Sequence, residues 1–329
     1  MSRPWPSAAR NWGRCIVLGL AMLTGCADGG RFRHLAEDRG GAGGDAVQVA
    51  EGVYMVRGTG GEVDTTNLGR IGNAGFIVGE RGVIAIDVGT SHRHGVALLD
   101  AIRRVTDKPV VLALVTQVHQ EFLFGAAAFR ERGIPIRMQR SAADLMAARC
   151  SNCLKTLRRL LGEDEMRDTA MFAPDQVFDD SHTLDDAGRS VRVLHFGHSS
   201  GPGDIAVLDE RTGVLFAGGL MDQLRIPDVQ DSQLPGWRAA LDAISALRVS
   251  TIVPGHGPAS SSGLVVTTRR YLDQLESRVR QLVMNGAALS EVPDASGLDK
   301  FKDWDQYDTI HRRNASVLFV RVEREVNFK

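Results

Sequence analysis

Leu112-Ala113-Leu114-Val115 is an apolar run that breaks at Thr116-Gln117-Val118-His119-Gln120-Glu121 and resumes as Phe122-Leu123-Phe124 before Gly125. A strand that stops at a polar corner and restarts as a helix presents its corner side chains at the strand's end, beyond the sheet. His119 and Glu121 stand two residues apart there, so the corner has the shape and donors of a metal-binding turn. The rest of the chain must supply further strands and helices to bury such a unit.

Those elements are legible on both sides of it. Upstream, strand-like runs occur at 47–49, 53–56, 74–78 and 83–87, the last two joined by the turn Gly79-Glu80-Arg81-Gly82. A helix is predicted over 95–105, with Val96, Leu98, Leu99 and Ile102 on one side, and Pro109 marks entry to the strand at 110–115. Downstream, the pattern predicts helices over 124–132 and 141–161, strands near 135–138, 191–195, 205–208 and 214–217, a helix over 237–247 and a strand at 251–253. Two tail helices are predicted near 267–284 and 314–326. Strands followed by helices, twice over, suggest two packed sheets with helices outside them.

The corner resembles the T-H-x-H-x-D-H motif, followed by Gly, of the metallo-β-lactamase superfamily. Thr116, His119 and Gly125 match; Gln117 stands at the first His, Glu121 at the Asp and Phe122 at the last His. Asn73-Ala74-Gly75-Phe76 and Ile86-Asp87-Val88-Gly89-Thr90 resemble the family's opening strands, and Asp87 its usual supporting carboxylate. Gly197-His198-Ser199-Ser200-Gly201 and Pro254-Gly255-His256-Gly257-Pro258 resemble its two later histidine loops. The resemblance spans roughly 47–265 and implies an α/β chain of the four-layer αββα sandwich type.

It also implies a zinc site, and the departures bear on that site. One metal position would fall on Gln117, His119 and His198, the other on Glu121, Phe122, Gly219 and His256. Phe122 coordinates nothing, and Gly219 replaces the bridging carboxylate, with Asp222 three residues on and not assumed to take its place. Glu121 keeps the charge but shifts the carboxylate by roughly one bond, about 1.5 Å. Two alternatives follow: one zinc held by His119, His198 and either His256 or Glu121, with Gln117 as a weak donor or support, or no functional metal and imidazoles bonded to water and to each other. A two-metal centre is not expected.

Other candidates carry less. His92 and His94 open a helix, His182 and His195 lack a ligand motif, and Ser199 and Ser200 lack a nucleophile elbow.

The 329 residues carry a net charge of −1, which gives no electrostatic case for nucleic acid. Arg3, Arg10 and Arg14 precede the apolar run at 15–23, too short to span a bilayer, so 1–25 reads as a secretory signal. Leu23-Thr24-Gly25-Cys26 resembles a bacterial lipoprotein box, which implies lipidation at Cys26 and a membrane-anchored, periplasm-facing protein. Ala27 after that cysteine leaves outer-membrane delivery open. Residues 26–46, with Gly40-Gly41-Ala42-Gly43-Gly44, read as a flexible tether. The expected organisation is then a metallo-β-lactamase-like domain over 47–290 and a helical extension over 291–329.

Cys150 and Cys153 are the thiols left after export. A local disulfide, half of an intermolecular metal or redox site, a thioredoxin-type dithiol and two inert cysteines are all readings of this C-x-x-C. The pair, with Asp303-Trp304-Asp305-Gln306-Tyr307 and His311-Arg312-Arg313-Asn314, resembles a periplasmic branch of the superfamily, the zinc metallohydrolases of quinoprotein relay systems. That resemblance implies a partner among periplasmic oxidation proteins.

Two functions are compatible with these residues. One is a mononuclear zinc hydrolase of a thioester, lactone or related ester, with Glu121 as the catalytic carboxylate. The other is a non-catalytic binding or accessory protein that uses the same pocket for a small molecule or a partner.

Overall fold

A computed structural model describes residues 44–327. The expected signal, the lipidation site Cys26 and most of the expected tether lie outside the described residues.

Among the described residues, twelve strands form two sheets. The first is β1 (Ala46–Ala50), β2 (Val53–Val56), β3 (Ala74–Val78), β4 (Val83–Ile86), β5 (Val110–Leu114), β6 (Ile136–Gln139) and β7 (Gln176–Phe178), in that spatial order. Its first four strands run antiparallel as a meander, and β4 to β7 are parallel. Parallel neighbours need crossovers, supplied by α1 (His92–Val105), the short pair α2 (Gln120–Leu123) and α3 (Ala126–Arg130), and α4 (Arg140–Glu165).

The second sheet has the order β12-β11-β10-β9-β8, with β8 (His182–Leu184), β9 (Val191–His195), β10 (Ile205–Asp209), β11 (Val214–Gly218) and β12 (Thr251–Pro254). It is antiparallel except for β11 and β12, which are joined by α5 (Leu234–Ser245). The chain ends in α6 (Gly263–Met284), α7 (Val292–Ala295) and α8 (Arg312–Asn327).

Alternation along β5 shows how the layers form. Leu112 and Leu114 point between the sheets, where they meet a core shared with Ile84, Ile86, Val193, Ile205, Val207 and Phe216. Ala113 and Val115 point the other way, into a core with Leu98, Ile102, Phe129 and Met146 of the helices. Leu194, Ala206 and Leu215 of the second sheet face Trp237, Leu241, Leu272 and Leu275. Strands buried on both faces must be apolar throughout, which is why β5, β10 and β11 read as unbroken runs. The result is an αββα sandwich.

The tail does not hang from this body. Phe301, Ala315, Leu318, Phe319 and Val322 lie in the same core as α5 and α6, so residues of the expected extension form part of the outer helical layer. The Asp303–Tyr307 stretch is a clasp: Asp305 accepts from the backbone N–H of Gly61 at 2.9 Å and pairs with Arg225. His311, buried beneath it, contacts Tyr271 Oη and the carbonyl of Ser296, both at 3.2 Å.

Candidate active site

The site begins under the corner. Asp87 closes β4 with a left-handed backbone, φ 62°, and its carboxylate accepts from the Thr116 backbone N–H at 2.8 Å and from Thr116 Oγ1 at 2.9 Å. Burial pushes the Asp87 carboxyl up to about 7, against the pull of the Thr116 bonds and with the push of Asp204 and Glu121. This brace fixes where β5 stops. His119 then caps α2 in extended conformation, φ −117° and ψ 145°, and Glu121 enters the first helical turn with its side chain buried.

Glu121 meets His256. Glu121 Oε1 lies 3.0 Å from His256 Nε2, and His256 Nδ1 lies 2.8 Å from Asp222 Oδ1. All three side chains are buried. A ring whose two nitrogens both face carboxylate oxygens donates from both, and only an imidazolium does so. Burial works against that charge on His256, but Asp222 and Glu121 outweigh it and raise the ring to about 9. Burial likewise opposes the Glu121 charge, yet the His256 bond and charge bring its carboxyl down to about 2. At neutral pH Glu121 is therefore a carboxylate and His256 an imidazolium.

Phe122 packs its edge against the His256 ring, with centroids 5.4 Å apart, and is 1% exposed. His119 stays near the opening: its ring is 39% exposed and its Nδ1 lies 3.9 Å from Glu121 Oε1. His198, on the loop after β9, turns its Nε2 to the carbonyl of Asp231 at 2.6 Å.

Gln117 and Asp204 occupy the space beside Gly219. A Cβ on Gly219 would sit 2.6 Å from Asp204 Oδ2 and closer still to Gln117 Oε1. A side chain at 219 would therefore require these two groups to shift. Gln117 is 1% exposed, and its Nε2 has no hydrogen-bond partner among the described residues. Asp204 accepts from Ser200 Oγ at 2.6 Å. Burial raises its carboxyl, opposed by that bond and by the charges of His119 and His198.

The last histidine loop is held to the segment around Gly58 by Asn73, just before β3. Its side chain donates to the carbonyls of Pro254 and Gly257 and accepts from Gly58 N–H, and its own N–H donates to the Gly255 carbonyl at 2.8 Å. A buried amide satisfied on every side fixes one loop against the other.

Sequence-predicted site residues thus divide. Glu121 and His256 are joined directly, His119 flanks them, Gln117 lies in the adjoining space and Asp87 sits beneath the corner. His198 is turned to a backbone carbonyl. Asp222 is the partner of His256 Nδ1 rather than a stand-in at 219. Asp204 escaped the sequence reading; its one signal is a carboxylate opening an apolar strand just after a Gly-rich loop. His94 is buried, with the Thr90 N–H donating to its Nδ1 at 3.1 Å and burial lowering it to about 3. His92 faces Glu131 at 2.9 Å.

Zinc needs imidazole, thiolate or carboxylate donors with free lone pairs converging on one point. These residues do not fit it. His256 has both nitrogens committed to carboxylates, Gln117 and Phe122 bring no imidazole, and Gln117 and Asp204 fill the space at 219. Among the described residues no three His, Cys, Asp or Glu side chains are placed to hold an ion.

Cys150 and Cys153 are free thiols on α4, which packs against α2. Cys150 is buried and Cys153 half-buried. A hydrogen bond from Cys150 lowers the Cys153 thiol to about 7, against the effect of burial and with help from the charge of His119, and raises Cys150.

Comparison with known proteins agrees with this architecture. The family described as the metallo-beta-lactamase superfamily matches residues 68–256. A metallo-beta-lactamase from Pontibacter korlensis superposes with a TM-score of 0.58 at 20% identity, covering 70% of this chain and 98% of that one. The metallo-beta-lactamase FIM-1 from Pseudomonas aeruginosa, in its mono-zinc form, does so with a TM-score of 0.55 at 18% identity, covering 70% and 94%. At such identities the likeness concerns the fold. A linear primary-alkylsulfatase from a Pseudomonas species is 24% identical over 217 residues, 55% of this chain and 40% of that enzyme's length. With the αββα sandwich, the corner after β5 and the histidine loop after β12 in their family places, this chain belongs to the metallo-β-lactamase superfamily.

Proposed function

We propose that this protein is an exported, lipid-anchored member of its superfamily that serves as a non-catalytic binding or accessory protein of a periplasmic quinoprotein oxidation system. The single observation that carries the non-catalytic reading is the buried Glu121–His256–Asp222 group. In it a proton on His256 supplies the positive charge that a cation would bring. The open ring of His119 and the orphan amide of Gln117 are left as polar groups for a small ligand or a partner's side chain. The lipoprotein-type N-terminus and the tail's resemblance to the quinoprotein-relay branch support the location and the partner class.

The competing reading, a mononuclear zinc hydrolase of thioesters, lactones or related esters, draws on the family and on the mono-zinc form of one protein of the same fold. It requires His256 and His198 to abandon the partners they have here. The discriminating experiment assays the mature protein, with and without added zinc, on a panel of thioesters, lactones and alkyl sulfates, alongside crosslinking in cells. The accessory reading expects no turnover above buffer and recovery of an oxidation-system protein. Zinc-dependent turnover abolished by His119→Ala would overturn it.

A further inference from the structure

One helix, α4, carries two thiols that the site above does not use. Cys150 and Cys153 lie three residues apart on α4, one buried and the other half-buried, and Cys153 Sγ lies 3.9 Å from the carbonyl of Arg149. The outer position gives Cys153 access to solvent, while Cys150 behind it is screened. An attacking thiol in front and a resolving thiol behind is the arrangement that disulfide exchange requires.

Helix geometry decides between a permanent staple and a bond that opens and closes. Side chains three apart on a helix have Cβ atoms about 5–6 Å apart, whereas a disulfide needs about 3.5–4.5 Å. Closing the bond therefore tightens one turn by about 1–2 Å, and a bond formed under such strain is readily reduced. It would also close a very short loop, where cross-linking restrains the unfolded chain least. A staple here gains little.

The placement ties this turn to the site. Arg149, next to Cys150, pairs with the Asp231 carboxylate, and the Asp231 carbonyl accepts from His198 Nε2 at 2.6 Å. The same helix packs against α2, which carries Glu121.

We propose that Cys150 and Cys153 form a redox-active dithiol that exchanges with a partner's disulfide, Cys153 attacking and Cys150 resolving. The Cys153 thiolate attacks one sulfur of R–S–S–R; that bond breaks, a mixed disulfide forms, and the first RS⁻ leaves and takes a proton from solvent. Cys150 gives up its proton to solvent and attacks the Cys153 sulfur. The second RS⁻ leaves and is protonated in turn. The dithiol loses two electrons and two protons, and R–S–S–R becomes two RSH. The lowered Cys153 thiol and raised Cys150 thiol agree with these roles. The inference is independent of the proposed accessory function.

The test incubates the mature protein over graded ratios of reduced to oxidised glutathione, quenches it in acid, alkylates it and weighs it intact. Two alkyl groups are expected at the reducing end and none at the oxidising end, with a form lighter by two hydrogens that dithiothreitol converts back completely. Cys150→Ser should accumulate one glutathione adduct, at least about tenfold faster than Cys153→Ser. In cells, the Cys150→Ser protein should trap its partner as a mixed disulfide, whose mass tells a small thiol from a protein. A pair that stays reduced at the oxidising end overturns the proposal. So does a disulfide that dithiothreitol leaves intact, and both outcomes are read on the unsubstituted protein.

Discussion

Glu121 Oε1 and His256 Nε2 stand 3.0 Å apart inside the protein although 135 residues separate them in the chain. One comes from the corner after β5, the other from the loop after β12, and Asp222 completes the group from the far side of the ring. A ring held by two carboxylates has no lone pair left to give.

Removing the ring leaves two buried carboxylates without their counter-charge. His256→Ala should cost about 3–5 kcal/mol of unfolding free energy, the usual consequence of breaking a buried pair from one side. Urea denaturation measures it. Glu121→Ala combined with His256→Ala should cost clearly less than the two single losses added together, since residues in contact are not additive. Simple additivity would show that the pair is not coupled.

Stability should also depend on pH through this group. His256 is raised from 6.5 to about 9, so its contribution is full below pH 6.5 and is lost as pH rises through 9. Glu121 is lowered from 4.5 to about 2, so its contribution is full above pH 4.5 and is lost as pH falls through 2. The group therefore contributes most between pH 4.5 and 6.5. In urea midpoints measured against pH, His256→Gln should flatten the decline between pH 6.5 and 9 relative to the unsubstituted protein. An unchanged alkaline decline in that variant would contradict the assignment.

Asp87 adds a separate slope. Its carboxyl is raised from 3.8 to about 7, so the folded state is favoured by its proton below pH 3.8 and loses that advantage as pH rises through 7. Asp87→Asn should remove this part of the pH dependence while keeping an acceptor for the Thr116 bonds. The same urea series reads it.

Restoring the family carboxylate alone should not restore a metal site. Gly219→Asp places its Cβ against Asp204 and Gln117 and sets a second carboxylate beside a buried one. Overpacking alone costs about 1–3 kcal/mol, and the added charge should raise that. Combining it with Asp204→Asn and Gln117→Ala should recover much of the loss. Thermal denaturation of the three proteins distinguishes this from a general intolerance at 219.

The tail offers a packing test. Phe319 is 3% exposed in the core shared with α5 and α6, so Phe319→Ala should cost about 3–5 kcal/mol. A loss under about 1 kcal/mol would mean that α8 is an appendage, since such small values belong to exposed positions.

The layers were legible because β5 and β11 carry no polar side chain and β10 none before its last residue, Asp209, a pattern that strands covered on both faces require. The corner after β5 and the loops holding His198 and His256 were legible because each follows a strand-like run. Direction was not. Nothing in Gly197-His198-Ser199-Ser200-Gly201 tells that the ring turns to the Asp231 carbonyl, a contact made by a loop more than thirty residues away. Asp222 and Asp204 were hidden for a similar reason, since a carboxylate's role depends on the ring or the gap it meets in space. The tail read as an extension because Phe301, Leu318 and Phe319 show their burial only against α5 and α6.

The most direct measurement is the zinc content of the purified mature protein by elemental analysis, paired with thermal denaturation before and after a chelator. With His256 held between Glu121 and Asp222, far less than one zinc per chain and an unchanged melting temperature are expected. Near-stoichiometric zinc whose removal lowers the melting temperature would contradict this.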